Sequence, residues 1–216
     1  MSSKLHYNTV TPYLHKVLKQ LMKAKVFEKF RLVGGTSLSL QRGHRFSVDI
    51  DLFTDEVYSS VDFNAIDKYL RKNFPYIQTS AIEEIGMGRS YFIGESEDVS
   101  VKLDVFYTDQ YITPIIEVDG LRLASEAEII AMKLDIISRG GRKKDFWDLH
   151  EFCEDYSFKE MLNFHEKRYP YAHDPKHIKK QFSNFELADE EPDPECLRGK
   201  FWELIKLDMV DFAKGR

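Results

Sequence analysis

The chain predicts an α+β fold, with a mixed sheet-and-helix half over about residues 1–118 followed by a mainly helical half over about 119–216. Two stretches alternate apolar and polar residues at the period of a strand, "RFSVDIDLF" at 45–53 and "VSVKLDVFY" at 99–107. Beyond "VDG" at 118–120 the apolar residues recur at helical spacing instead, opening with a capping-box match from Ser125 to Glu128. The 216 residues suffice for one substantial domain, or a compact domain with an appended helical piece.

Residues 11–24 make the first expected helix. Thr11 caps it, Pro12 suits its first turn, and Leu14, Val17, Leu18, Leu21 and Met22 form an apolar stripe. The extended "FRLV" then runs into Gly34 and Gly35, and "TSLSLQRG" reads as a short helix stopped at Gly43. The strand at 45–53 comes next, followed by a helix near 62–73. "SYFIG" and "VSVKLDVFY", joined by the polar "ESED", read as a hairpin over 90–107. A helix is expected over about 126–139; Gly140 and Gly141 break it, and "DFWDLHEFC" resumes helical spacing. Helices near 157–168 and 175–185, an acidic loop at 186–195 and a final helix ending in "DFAK" complete the chain, which has no internal repeats.

A content of 43% hydrophobic and 13% aromatic residues fits a folded globular protein. The net charge of −5 argues against general electrostatic coating of DNA and leaves a local basic patch as the route to nucleic acid. Cys153 and Cys196 form no CxxC and accompany no zinc-spaced histidines, so they read as reduced thiols. The N-terminal "MSSKLHYNTV" lacks the apolar core of a signal peptide, and no run approaches the roughly 18 apolar residues of a membrane span. The expected location is cytoplasmic, with no membrane partner.

In the strand at 45–53, Val48, Ile50 and Leu52 share one face and Asp49 and Asp51 the other. Like charges side by side repel unless a cation lies between them, which makes a metal their natural partner. In the strand at 99–107, Val99, Val101, Leu103 and Val105 face one way while Lys102 and Asp104 face the other. Asp104 joins the pair if its strand lies beside theirs. Gly34 and Gly35, before a helix starting with Thr36 and Ser37, would present backbone N–H groups and hydroxyls at a positive helix end, which suits phosphate. The same residues also suit a plain strand-to-helix turn with Thr36 or Ser37 as cap. Three carboxylates beside a phosphate turn fit two-metal phosphoryl or nucleotidyl transfer with Mg²⁺, or Mn²⁺ in its place. The alternative is aspartates that merely face solvent.

Lys133 falls among Ile129, Ile136 and Ile137 on a helical wheel, so its stem lies within an apolar stripe. Either it snorkels to water or its helix packs on the catalytic half and delivers it to phosphates. Arg142, Lys143 and Lys144 suit nucleotide or RNA phosphates, and equally a solvated charge run. Arg45 and Ser47 flank the aspartate strand and are candidates for orienting metal ligands or binding phosphate. His44 reads as structural, since no second histidine sits at metal spacing.

"LVGGTSLSLQRGHRFSVDIDLFT", "VKLDVF" and "RLASEAEIIAMKLDIISRGGRKKDFWDLHEF", in that order, closely resemble the signatures of AbiEii/AbiGii-type nucleotidyltransferases. That family is a branch of the polymerase-β-like superfamily and includes toxins of type IV toxin–antitoxin systems. The resemblance covers most of residues 30–153 and ends in a Lys-Asp-x-x-Asp-Leu segment. It implies a polymerase-β-like nucleotidyltransferase sheet, with a catalytic core over 1–118 and a helical region over 119–216 that completes the cleft. Gly34, Gly35 and Thr36 or Ser37 would hold the triphosphate, Asp49 and Asp51 would ligate metal, and Asp104 would complete the metal site. Lys133 would reach the phosphates. Asp145, otherwise a favourable first-turn charge, would be a functional position. The expected activity is Mg²⁺-dependent transfer of NMP from an NTP to an acceptor, with an RNA such as a tRNA end and a cognate antitoxin protein as partners. A non-catalytic NTP- or partner-binding module and a phosphotransferase acting on protein or a small molecule are the competing readings.

Overall fold

The computed structural model describes residues 4–79 and 86–215. In chain order these form α1 (Pro12–Lys23), β1 (Arg31–Leu32), α2 (Gly34–Arg42), β2 (Asp49–Thr54), α3 (Phe63–Asn73), β3 (Tyr76–Thr79), β4 (Gly88–Gly94), β5 (Ser100–Tyr107), β6 (Ile116–Val118) and β7 (Leu121–Leu123). The helices α4 (Glu126–Ser138), α5 (Lys143–His150), α6 (Phe158–Arg168), α7 (Pro175–Gln181), α8 (Glu186–Asp189) and α9 (Trp202–Lys214) follow. Among the described residues no helix is long and apolar enough to cross a membrane.

The strands make one mixed sheet in the order β3-β4-β5-β2-β1-β7-β6. β2 runs parallel to β5, and β1 parallel to β7, while the remaining neighbours are antiparallel. Strict alternation decides which side is core. On one face Ile50, Leu52, Leu103, Val105, Tyr91 and Ile93 are all fully buried, against Leu14, Leu18 and Leu21 of α1 and Ile66 and Leu70 of α3. Thr11 caps α1 through the Leu14 amide at 3.0 Å, with Pro12 in its first turn.

A second core lies in the helical half, where Leu134, Ile137, Trp147, Phe152, Phe182 and Met209 are buried together. α4 is its central element, packed against α2, α5, α6 and α7. Ser125 caps α4 through the Glu128 amide at 3.3 Å, but Glu128 does not close the expected box. Its carboxylate instead accepts the Ile112 and Thr113 amides and pairs with Arg168 of α6 at 2.7 Å, with both side chains fully buried. A buried pair is tolerable only when its lone pairs and protons are satisfied this way. Here it joins α4, α6 and the β5–β6 loop.

Several expected boundaries move. β2 begins at Asp49 rather than at residue 45, and Val48 is 56% exposed instead of joining Ile50 and Leu52 inside. Val99, likewise, lies outside β5 and is exposed. β3, β6 and β7 were not anticipated, because three or four residues show too little alternation to register. The expected 118/119 division falls in the turn of the β6–β7 hairpin, and β7 pairs with β1, so the sheet extends to Leu123. α5 and α7 end earlier than the periodicity suggested, and the short α8 interrupts the acidic loop. Cys153 and Cys196 are free thiols.

Candidate active site

The site begins where β1 turns into α2. Val33 is extended and donates to the Asp51 carbonyl at 2.9 Å, and the helix starts at Gly34 rather than at Thr36. Gly34 has φ of +67°, a region that an L side chain enters only with strain. A Cβ there would stand 2.5 Å from Asp51 Oδ2, and one on Gly35 would strike the Arg45 guanidinium. Both positions must therefore be bare for the first turn of α2, with its unpaired amides, to come against the carboxylates. Gly34→Ala is expected to lower stability by about 1–3 kcal/mol through backbone strain and displacement of Asp51, and to weaken NTP binding. Urea denaturation and calorimetry check this, and an unchanged variant in both would contradict the assignment.

Register supplies the acidic side. Asp51 lies directly across from Asp104, and Asp49 across from Lys102, so the three aspartates share the face opposite the core. They line a cavity of about 200 Å³ together with Gly34, Gly35, Lys102 and Lys144. Its other wall is apolar, made by Val33, Phe53, Ile129, Met132 and Ile136. Burial, followed by the charges of Asp104 and Asp49, pushes the Asp51 carboxyl up to about 6. Lys102 pairs with Asp104 Oδ2, while Asp104 Oδ1 is buried with no hydrogen-bond partner. Lys144 stands 3.7 Å from Asp49 Oδ2. Its ammonium is held below the ordinary lysine value by burial and then by Arg142, against the pull of Asp49.

Among the described residues, no three His, Cys, Asp or Glu side chains close into a ready metal cage. The donors present are nonetheless of the right kind. Hard carboxylate oxygens that repel one another, one of them orphaned, suit a divalent ion that takes the rest of its shell from phosphate and water.

Beneath the cavity lies a buried ion network. Lys133 Nζ is 2.6 Å from both Asp145 Oδ1 and Asp148 Oδ2. Arg45 grips Asp148 with two hydrogen bonds, at 2.6 and 2.9 Å, and His44 Nε2 meets the same carboxylate at 2.8 Å. Burial alone would raise the Asp148 carboxyl, but Lys133 and Arg45 hold it well below its usual range. Burial likewise opposes the Lys133 ammonium, and Asp145 and Asp148 outweigh it. Asp145 also accepts the Arg142 amide at 3.1 Å, closing the first turn of α5.

The structure thus gathers Gly34, Gly35, Arg45, Ser47, Asp49, Asp51, Asp104 and Lys133 around one cleft, with Asp145 just below it. The hydroxyls of Thr36 and Ser37 are not brought to it. Thr36 is buried and bonds Ser47 Oγ at 2.7 Å and the Asp49 carbonyl, and Ser37 Oγ accepts from Gln41 at 3.1 Å. The Thr36 hydroxyl thus fixes the start of β2 and that of Ser37 stays within α2, so the turn offers the cleft backbone amides rather than hydroxyls. His44 is structural, as expected, and the basic run divides. Arg142 and Lys144 line the cleft, whereas Lys143 turns away to Asp193 at 2.9 Å. Asp148 was missed although it is the second aspartate of the Lys-Asp-x-x-Asp-Leu segment. On α5 it lies three residues after Asp145, on the same side of the helix, which was the available signal.

Residues 16–214 match the family model described as Nucleotidyl transferase AbiEii toxin, Type IV TA system. An uncharacterized protein of Aquifex aeolicus is 28% identical over 165 residues, spanning 71% of this chain and 73% of that one. Two solved structures share the fold. JHP933 from Helicobacter pylori has a TM-score of 0.59 at 18% identity, covering 94% of this chain and 88% of its own. MenT4, a nucleotidyltransferase toxin of Mycobacterium tuberculosis, has a TM-score of 0.52 at 16% identity, covering 91% and 84%. A match that runs through both the sheet and the helical half places the chain in the AbiEii nucleotidyltransferase toxin family, and it is a nucleotidyltransferase.

Proposed function

We propose that the protein transfers a nucleoside monophosphate from an NTP to an RNA acceptor, with a tRNA end as the favoured target, in a divalent-metal-dependent reaction. The observation that carries this reading is the shared face of Asp49, Asp51 and Asp104 set against the glycine-opened N-terminus of α2. The three aspartates would hold Mg²⁺, or Mn²⁺ in its place, which when bound supplies charge neutralisation at the triphosphate and acidifies the acceptor hydroxyl.

The first amides of α2 orient the outer phosphates, and Lys144 and Arg142 at the rim match their charge. Lys133 has three N–H donors and two carboxylate partners, so one donor is left for the cleft. The apolar wall of Ile129, Met132 and Ile136 gives the nucleoside a dry surface. In the reaction the acceptor oxygen bonds to the α-phosphorus, the α–β anhydride bond breaks and pyrophosphate leaves. Asp104, with its unpartnered Oδ1, is placed to take the hydroxyl proton. In the cell the reading makes this chain the toxin of a type IV system, acting in the cytoplasm and restrained by a cognate antitoxin protein.

The test incubates the protein with Mg²⁺, total RNA, total protein and each NTP, labelled in turn at the α- and γ-phosphate. Label from the α-position on RNA is the expected result. Label from the γ-position on any acceptor would mean a phosphotransferase. Calorimetric NTP binding with no labelled product and no pyrophosphate would mean a binding module.

A further inference from the structure

The sheet face that carries the aspartates does not end at Asp104. Ser90 on β4 lies opposite Asp104, Phe92 opposite Lys102, and Gln78 on β3 opposite Phe92, so all of them point to the same side. The next residue to Phe92, Tyr91, is fully buried on the core side, whereas Phe92 is 44% exposed. It stands one strand over and two residues along from Asp104, roughly 8 Å by strand geometry. An exposed ring on a strand, beside a lysine and amide and hydroxyl groups, has the makeup of a surface on which unpaired bases stack.

Direction assigns this surface to the acceptor. The N-terminus of α2 meets Asp51 from the β1 side of the carboxylates. Displacement at phosphorus is in line, with the attacking and leaving oxygens on opposite sides. Pyrophosphate leaving toward α2 therefore requires the acceptor hydroxyl to arrive from the β5–β4 side, where Lys102, Ser90 and Phe92 lie.

We infer that the outer face of β3, β4 and β5 is the acceptor platform. A base near the single-stranded 3′ end of the RNA stacks on Phe92, Lys102 meets a neighbouring phosphate, and the terminal hydroxyl is set beside Asp104. The inference rests on the nucleotidyl-transfer reading and adds the acceptor's route to it. It also fits a chain with net charge −5, because stacking with one or two cations needs no broad basic surface.

The test uses the full chain as wild type, Phe92→Ala and Phe92→Trp, with a short fluorescent single-stranded RNA and the same sequence as a blunt duplex. Anisotropy is expected to show single-strand binding weakened about tenfold or more in Phe92→Ala and restored in Phe92→Trp. The duplex should bind less well than the single strand, and NTP affinity by calorimetry should be the same in all three proteins. Equal binding by Phe92→Ala and wild type, or no single-strand binding by wild type, overturns the platform. NMP transfer that proceeds equally well in Phe92→Ala also overturns it while leaving the chemistry standing. Phe92-dependent RNA binding without NMP transfer to any acceptor supports the platform and overturns the chemistry.

Discussion

Asp51→Asn is expected to abolish transfer while leaving the protein as stable as wild type, or more so. Asp51 is hemmed in on two sides, with Gly34 against its carboxylate and Asp104 across from it. Burial and the two neighbouring carboxylates lift its pKa to about 6, so keeping it ionised near neutral pH works against folding. A shift of about two units corresponds to at most about 3 kcal/mol. The amide is isosteric and uncharged, which removes that repulsion. It also removes an anionic oxygen from the point where positive charge must be gathered around the triphosphate, a loss of several kcal/mol of transition-state stabilisation, or about 10³-fold or more in rate. Melting with and without Mg²⁺, alongside labelled transfer, separates the two effects. Wild type should gain stability with Mg²⁺ and the variant should not. A variant that transfers NMP at the wild-type rate would remove Asp51 from the chemistry.

The carboxylate face was legible because its signal is local. Asp49 and Asp51 alternate with Ile50 and Leu52, which demand burial, and Asp104 repeats the pattern on a second strand. Only their juxtaposition needed the fold, through the parallel pairing of β2 with β5. Gly34 and Gly35 were legible as a turn, but the reason for both glycines was not, since the obstructing groups, Asp51 and Arg45, come from β2 and the segment before it. Thr36 and Ser37 show the opposite failure. Hydroxyls beside a glycine turn suggest phosphate contacts, yet the first turn of α2 directs both side chains inward, toward Ser47 and Gln41. Phe92 carried no signal of its own, because an aromatic in a strand is usually core, and only the register shows that it faces out.

Asp148 separates positioning from stability most clearly. Its carboxylate is fully buried and accepts from His44 and twice from Arg45, with Lys133 at 2.6 Å. Asp148→Ala would leave two buried cations facing Asp145 alone, and breaking such a network by removing one partner costs about 3–5 kcal/mol. The pH dependence follows from the sign of the shift. Because the folded-state pKa lies well below the usual carboxylate value, the stabilisation is fully present above about pH 4 and is lost as pH falls through the folded value. Asp148→Asn should therefore show a flatter fall in stability on acidification than wild type, in urea titrations between about pH 2 and 5. Replacing the network as a whole tests what it is for. Apolar substitution of a complete buried ion network is often neutral for stability, so Arg45→Met, Lys133→Met and Asp148→Leu combined with Asp145→Asn, which leaves no buried charge without a partner and keeps an acceptor for the Arg142 amide, should recover much of what Asp148→Ala loses. It should nevertheless stay inactive, because Arg45 no longer braces Gly35 at the first turn of α2 and Lys133 no longer underlies Asp51. An active quadruple variant would mean that the network serves folding alone.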